Sequence, residues 1–189
     1  MSAESIMRAL DPAKYEVIPV GITKGGRWLA GRDPLAALKA GARDKLAEMR
    51  YAAFLPDPGD PGLVAVDPQE LAPQSGRLSF DVVFPVLHGP HGEDGTIQGM
   101  LELANVPYVG CGVAASAVGM DKALMKAVFR SAGLPVLDYI VVNRKHIASR
   151  FPQIQEQVAA EIGYPCFVKP ANLGSSVGIS KVKAPGELR

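Results

Sequence analysis

The order of strands, glycine-rich turns and helices along this chain predicts an α/β fold with an open sheet. An apolar run at residues 81–87 (DVVFPVL) leads into a turn with three glycines, HGPHGEDG, and then into apolar residues at helical spacing over residues 97–104. Open α/β sheets bind ligands at the carboxyl ends of their parallel strands. We therefore expect residues 81–87 to form a parallel strand and the turn at residues 88–95 to border a binding site.

Composition and charge narrow the class of protein. The 189 residues can bury one sizeable core or two small ones, and 48% hydrophobic with 21% charged residues is typical of a globular protein. A net charge of +1 argues against nucleic acid or an anionic membrane as the main partner. No apolar run approaches the roughly 20 residues that span a bilayer, and the N-terminus lacks a secretory pattern. We expect a cytoplasmic protein.

The two cysteines fit that compartment. Cys111 and Cys166 lie in glycine-rich or apolar surroundings and lack the spacing of a metal site. The sequence therefore predicts two reduced thiols.

The first part of the chain predicts a helix over residues 3–10 (AESIMRAL), ended by Asp11-Pro12, and a strand over residues 15–22. A helix is compatible with residues 35–46, and the Pro/Gly cluster at residues 56–62 predicts a loop.

The second part predicts a further alternation of strands and helices. A short strand at residues 106–110 ends at a glycine-bearing turn, and residues 117–128 follow with one apolar helical face. Residues 136–142 predict a strand, 154–162 a helix, and 166–169 with 179–182 a hairpin. We place the domain boundary near residue 110, with one domain over residues 1–110 and a second, incomplete one over 111–189.

One long stretch carries a family resemblance. HGPHGEDGTIQGMLELANVPYVGCGVAASAVGMDK resembles the N-terminal signature of D-alanine–D-alanine ligases, and the likeness continues through Lys169-Pro170 and the GSSVG of residues 174–178. The resemblance implies a Rossmann-like pre-ATP-grasp domain followed by the first part of an ATP-grasp fold. It also implies ATP-dependent joining of two D-alanines through an acyl phosphate, for peptidoglycan synthesis.

The likeness to these ligases is incomplete at both ends. Family members begin with a strand and a glycine-rich loop that carries a glutamate, and here the chain opens directly on a helix. We expect the true start to lie upstream of Met1. The family's Mg²⁺ ligands and adenine-binding segment are expected beyond residue 189. The resemblance therefore implies ATP and Mg²⁺ as cofactors and a homodimer for the full-length protein, and no activity for this piece alone.

The turn at residues 88–95 carries the first candidate site residues. His88 follows the apolar run, and an imidazole titrates near neutrality and can donate to or accept from a substrate, although it can equally bond to local backbone. Glu93 can orient the loop or hold His88, and Asp94 is suited to cap the following helix. The resemblance implies that His88 and Glu93 border the substrate pocket.

Lys122 is a candidate because of its place in a helix. It follows Asp121, a suitable N-cap, so its cation lies in the first helical turn and opposes the helix dipole. A nearby anion would explain the position, and so would a solvated side chain. The resemblance implies that Lys122 contacts the ATP phosphates.

The last candidates lie on the loop between the two hairpin strands. Lys169 ends an apolar strand and needs an anionic partner or a route to solvent. The GSSVG segment offers backbone N–H groups and the hydroxyls of Ser175 and Ser176, which suit phosphate oxygens, although a flexible β-turn has the same pattern. The resemblance places all three residues on ATP and Ser175 in the catalytic hydrogen-bonded set that includes the missing glutamate.

The sequence is also compatible with two other functions. A D-alanine–D-lactate ligase would share these motifs, because the residues that select the acceptor lie mostly outside this sequence. A non-catalytic module that binds a nucleotide or an amino acid is the second alternative.

Overall fold

The computed structural model describes residues 2–30, 34, 50–66 and 73–188, which divide into two units. The first unit comprises Met1–Val86 and Gln98–Gly110. The second comprises Leu87–Ile97 and Cys111–Arg189. The helix predicted over residues 35–46 lies outside the described residues.

The first unit holds the N-terminal helix and a five-stranded sheet. Helix α1 (Ser2–Ala9) confirms the first predicted helix. The strands, in chain order, are β1 (Val20–Ile22), β2 (Trp28–Ala30), β3 (Arg50–Leu55), β4 (Gly62–Val66) and β5 (Pro73–Leu78). They pair in the same order, and each neighbouring pair is antiparallel.

Short connections explain two of the antiparallel pairs, β1 with β2 and β3 with β4. A turn at Gly26, whose N–H donates to the carbonyl of Thr23 at 2.9 Å, joins β1 to β2, and the Pro/Gly loop joins β3 to β4. A parallel connection needs a dozen or more residues, so such short turns force neighbouring strands to run in opposite directions. The parallel arrangement that the sequence predicts for residues 81–87 therefore does not extend to these five strands.

Parallel pairing in the described residues is limited to one bridge. Val83 pairs with Tyr108, and the N–H of Val83 donates to the carbonyl of Pro107 at 2.9 Å. Pro85 lacks the N–H that would extend the pairing, and proline is confined to strand edges for this reason. The strands predicted over residues 81–87 and 106–110 are thus reduced to this contact.

The core of the first unit draws on the sheet and on the helix that follows the 88–95 turn. That helix, α2 (Thr96–Leu103), confirms the predicted helical pattern. Its Leu101 is buried, as are Leu29 and Leu63 of the sheet. Burying a leucine side chain contributes about 2 kcal/mol each, so these residues stabilise the unit.

The second unit contains three helices and a hairpin among its described residues. The helices are α3 (Val113–Met120), α4 (Lys122–Ser131) and α5 (Arg144–Gln157), and the last continues into a π-helical turn, Val158–Ile162. Strands β6 (Cys166–Val168) and β7 (Ser180–Val182) confirm the predicted hairpin, which a short 3₁₀ turn, Pro185–Glu187, follows.

Three sequence predictions differ from the second unit. The single helix expected over residues 117–128 is broken at Asp121, whose extended backbone (φ −97°, ψ 108°) ends α3 and begins α4. The strand expected over residues 136–142, all of which the structure describes, is irregular chain. Helix α5 begins ten residues before the expected start at residue 154, with a kink at Arg150 ahead of Pro152, whose ring cannot continue a regular helix.

A small core holds the hairpin in the second unit. Val158, Cys166 and Val182 are buried together, and partly buried side chains of Ile140 and Ile154 pack against them. Cys166 is therefore a core residue, whereas Cys111 is exposed, and both are free thiols. The prediction of reduced cysteines agrees with this arrangement.

Candidate functional site

All of the predicted site residues belong to the second unit. The loop Leu87–Ile97 clusters with Cys111–Arg189 and not with the sheet that precedes it along the chain. The unit thus collects residues from three separate stretches of sequence: His88, Glu93, Lys122, Lys169, Ser175 and Ser176.

The turn at residues 88–95 is held by hydrogen bonds of its own. The N–H groups of Gly92 and Glu93 donate to the carbonyl of Gly89 at 3.2 and 3.0 Å, and Glu93 Oε2 accepts from the N–H of Gly89 at 2.6 Å. This bond to the Gly89 N–H is the contact expected of a residue that orients the loop, one of the two roles predicted for Glu93. The His88 side chain is exposed at the start of the turn.

Asp94 fastens the same turn to helix α2. Its carboxylate accepts from the N–H of His91 at 2.8 Å and from the N–H of Thr96, the first helical residue, at 3.0 Å. The bond from the His91 backbone, assisted by those from Thr96, lowers the pKa of Asp94 from 3.8 to about 2. Asp94 is therefore a helix-capping carboxylate.

Gly95 lies where this turn packs closely against helix α3. Its φ is +92°, and a Cβ placed there would lie 2.8 Å from the carbonyl oxygen of Val113, at the start of α3. Only glycine combines this conformation with such a close backbone contact at no steric cost. The backbone of the turn thus packs directly against the backbone at the start of α3.

Lys122 is bound to the loop between the hairpin strands. Its backbone N–H donates to the carbonyl of Ala171 at 3.0 Å. Its ammonium Nζ donates to the carbonyl of Leu173 and lies 3.5 Å from that of Ala171. The side chain is half-buried. A cation that opposes the helix dipole is therefore compensated by two loop carbonyls.

Asp121 joins the same two elements. One carboxylate oxygen accepts from the N–H groups of Ala123 and Leu124 at 2.9 and 3.0 Å, which confirms it as the N-cap of α4. The other accepts from the side-chain amide of Asn172 at 3.1 Å. The Leu124 N–H and the Asn172 amide lower the pKa of Asp121 below its ordinary value.

The loop beyond Asn172 turns through two strained serines. Ser175 and Ser176 have φ of +50° and +60°, and the N–H of Val177 donates to the carbonyl of Gly174 at 3.0 Å. Two successive positive φ values with this bond are the pattern of a type I′ turn. Serine rarely adopts this region, and such strain is often found where a loop holds a ligand. Both side chains are exposed.

The two ends of this loop meet closely. A Cβ at Gly178 (φ +70°) would lie 2.8 Å from Cγ of Pro170. Next to Pro170, the Lys169 side chain is exposed and its ammonium lies 5.8 Å from the ring centroid of Phe167. Lys169 therefore has the route to solvent that the sequence required.

The arrangement suits an anion better than a metal. The Lys122 ammonium, backbone N–H groups and serine hydroxyls are the donors that phosphate oxygens accept from. Across the described ranges, no three His, Cys, Asp or Glu side chains come close enough together to hold a metal ion. The residues present thus do not fit Mg²⁺ by themselves.

Among residues 2–30, 34, 50–66 and 73–188, no helix is both long enough and apolar enough to cross a membrane.

Sequence reasoning missed Asn172. It lies 51 residues after Asp121, and an asparagine in a loop carries no local signal of a distant carboxylate. The capping role of Asp121 is visible in the sequence, but its second contact depends on the folded unit.

Two family models match the chain. The one described as D-ala D-ala ligase N-terminus matches residues 1–111, and the one described as D-ala D-ala ligase C-terminus matches residues 128–189. The D-alanine–D-alanine ligase of Heliobacterium modesticaldum is 51% identical over 187 residues, which cover 99% of this chain and 49% of that protein. The D-alanine–D-alanine ligase of Geobacillus kaustophilus is 44% identical over 188 residues, which cover 100% of this chain and 50% of that protein. The chain spans about half the length of these relatives.

Solved structures give the same result. The VanG D-Ala:D-Ser ligase from Enterococcus faecalis matches with a TM-score of 0.81 and 30% identity, over 99% of this chain and 51% of that one. The D-alanine-D-alanine ligase from Coxiella burnetii matches with a TM-score of 0.74 and 35% identity, over 98% of this chain and 52% of that one. Since sequence and structure agree over both parts of the chain, it belongs to the D-alanine–D-alanine ligase family.

Proposed function

We propose that the protein to which this chain belongs joins two D-alanines at the expense of ATP. The observation that carries the proposal is the contact between Lys122 and the loop of Ser175 and Ser176, which gathers phosphate-type donors in a chain of this family. The product, D-alanyl-D-alanine, serves peptidoglycan synthesis. We expect the protein to be cytoplasmic and its full-length form to be a homodimer.

The reaction has two steps. A carboxylate oxygen of the first D-alanine attacks the γ-phosphorus of ATP, and ADP leaves, giving an acyl phosphate. The amine of the second D-alanine then attacks the acyl carbon, inorganic phosphate leaves, and the amine nitrogen loses a proton. Phosphoryl transfer depends mainly on positioning and on neutralisation of charge. Exclusion of water protects the acyl phosphate from hydrolysis.

The residues of this chain divide between the two substrates. Lys122, Lys169, Ser175 and Ser176 are proposed to bind ATP phosphates, and Ser175 is also the proposed catalytic serine. His88 is proposed to border the amino-acid pocket. Glu93 supports that role through its bond to the Gly89 N–H, which fixes the turn beside His88.

Divalent metal chemistry is assigned to the rest of the protein. The described residues do not gather a Mg²⁺ ligand set. Its ligands are proposed to lie in the part of the relatives that the match leaves uncovered.

ATP binding by the 189-residue chain tests the phosphate site. In isothermal titration calorimetry we expect ATP to bind, inorganic tripolyphosphate to compete with it, and adenosine to bind far more weakly. Lys122→Met should weaken ATP about tenfold, equivalent to about 1.4 kcal/mol. Lys122→Arg should retain much of the affinity. Lys145→Met removes an exposed cation on α5 and is the matched control. Equal losses in the two methionine variants would contradict the proposal.

The ligase reaction itself is tested with a completed chain. Fusing this chain to the residues of the Heliobacterium relative outside the match should give D-alanine-dependent ADP release, whereas the 189-residue chain alone should give none. Turnover by the short chain would overturn its predicted inactivity. ATP binding without turnover in the fusion would favour the non-catalytic alternative.

A further inference from the structure

Helix α4 and the loop at residues 170–178 are joined by a group of contacts that we call the clasp. Its members are Asp121 and Lys122 at the start of α4, and Ala171, Asn172 and Leu173 in the loop. The two stretches lie about 50 residues apart in sequence, so the clasp is a tertiary contact and not a product of local turn geometry. Both lie within the second unit.

One carboxylate serves both sides of the clasp. Oδ1 of Asp121 accepts from the N–H groups of Ala123 and Leu124, and Oδ2 accepts from Asn172 Nδ2 at 3.1 Å. The cap that starts α4 therefore also fixes the loop residue that lies three positions before Ser175. A shift of the carboxylate would disturb the helix start and the loop together.

The ammonium of Lys122 is oriented by the loop. An ammonium has three N–H donors, and two carbonyls of the loop, those of Ala171 and Leu173, lie against this one. Among the contacts of the described residues, one donor therefore remains for a further acceptor. Fixing a flexible lysine in advance lowers the ordering cost of binding.

We propose that Asp121 and Asn172 are positioning residues, which hold the Ser175 loop against Lys122. The loop and the lysine are then already in position when a phosphate binds. This role rests on the proposed function, because it assumes that the Lys122 side chain and the loop bind the phosphates of ATP. Neither Asp121 nor Asn172 needs to touch the nucleotide. They act through Lys122 and through the backbone of the loop.

An exchange of the two side chains tests the pair. Asn172→Asp sets a second carboxylate against Asp121 and should repel it. The double variant Asp121→Asn with Asn172→Asp restores one amide facing one carboxylate, since the amide introduced at position 121 keeps an oxygen for the α4 N–H groups and offers its NH₂ to position 172. Asn143→Asp makes the same chemical change at the N-cap of α5, away from the loop, and is the matched control.

Two measurements separate positioning from general stability. The first is hydrogen exchange of the Val177 and Ile179 amides, which donate to Gly174 and Ser176 carbonyls inside the loop. The second is the ATP dissociation constant by calorimetry. Asn172→Asp should speed exchange of both amides and weaken ATP by about tenfold, which corresponds to the loss of one charge-assisted contact. The β6–β7 amides should keep their protection, and the double variant should recover both quantities at least in part.

The outcomes distinguish this inference from the proposed function. If the wild-type chain fails to bind ATP, the proposed phosphate site at Lys122 and the Ser175 loop falls, while exchange still shows whether the pair holds the loop. Unchanged exchange in Asn172→Asp would overturn the clasp. Faster exchange with unchanged ATP affinity would overturn the positioning role, and so would a double variant no better than the single one.

Discussion

The two glycine-bearing loops of the second unit are held in different ways. The turn at residues 88–95 is fixed from within, because Glu93 and Asp94 bond to N–H groups two to four residues away. The loop at residues 170–178 is fixed from outside, by Asp121 and Lys122 about 50 residues earlier. The side-chain hydrogen bonds that hold the first loop therefore come from neighbouring residues, whereas those that hold the second come from the start of a remote helix.

The largest expected effect is at Gly95, where the turn at residues 88–95 packs closely against the start of α3. A substitution there sharpens the comparison of the two loops. Gly95→Ala would set a Cβ 2.8 Å from the Val113 carbonyl at a φ of +92°. Backbone strain and overpacking together should lower the free energy of unfolding by about 3 kcal/mol. Urea unfolding of the chain measures it.

Gly89→Ala is the control for that substitution. Its φ is also positive, at +77°, but a Cβ there has no neighbour within 4 Å. This substitution should lower the free energy of unfolding by only about 1 kcal/mol, from conformational strain. Similar decreases in the free energy of unfolding for both variants would show that the close contact with Val113 does not affect stability.

A smaller effect is expected where the ends of the second loop meet. Gly178→Ala combines a φ of +70° with a Cβ 2.8 Å from the Pro170 ring, so it should open the loop at a cost of about 2 kcal/mol. Faster hydrogen exchange at Val177 and Ile179 would report it. Gly174→Ala, which meets nothing within 4 Å, should leave those amides protected. Equal protection in the two variants would contradict the close approach.

The smallest effect concerns the carboxylate that caps α2, and it depends on pH. Asp94→Ala should cost about 1 kcal/mol at neutral pH, as is typical for a lost cap. The folded protein lowers the pKa of Asp94 from 3.8 to about 2. The stabilisation by the ionised carboxylate is therefore complete above pH 3.8 and is lost as the pH falls through about 2.

Thermal unfolding of wild type and Asp94→Ala at neutral pH and near pH 2 checks this dependence. The gap between their melting temperatures should close in acid. A gap of constant size would mean that the carboxylate form of Asp94 contributes nothing special to the turn.

Local rules predicted much of the fold. The helical spacing after the 88–95 turn indicated α2, and the alternation around Lys169 indicated the β6–β7 hairpin. The resemblance to D-alanine–D-alanine ligases and the fold class it implied are confirmed by the family and structural matches. These features depend on residues close together in sequence or on a long shared signature.

Long-range features were harder to predict. Short turns explain the β1–β2 and β3–β4 pairs, but β2 ends at Ala30 and β3 begins at Arg50, so their pairing carries no local signal. Among the residues that the structure describes, the expected parallel strand is limited to one bridge, because Pro85 lacks an N–H. Periodicity joined α3 and α4 into one helix because it ignores the capping role of Asp121. The domain division at residue 110 stays a prediction.

The site shows the same division. Lysine, serine and glycine positions were visible in sequence, and their roles on ATP and D-alanine stay predictions. The role of Asn172 could not be predicted, because it depends on the 3.1 Å hydrogen bond from Asn172 Nδ2 to Asp121 Oδ2, which forms only in the folded unit.

The unequal surroundings of the two cysteines give the protein a built-in chemical probe. Cys111 is open to solvent, and Cys166 is sealed beside Val158 and Val182. A water-soluble thiol reagent should therefore modify the native chain once and reach the second sulfur only when the hairpin core opens. Counting modified sulfurs by mass spectrometry thus reports the opening of that core directly, without any engineered label.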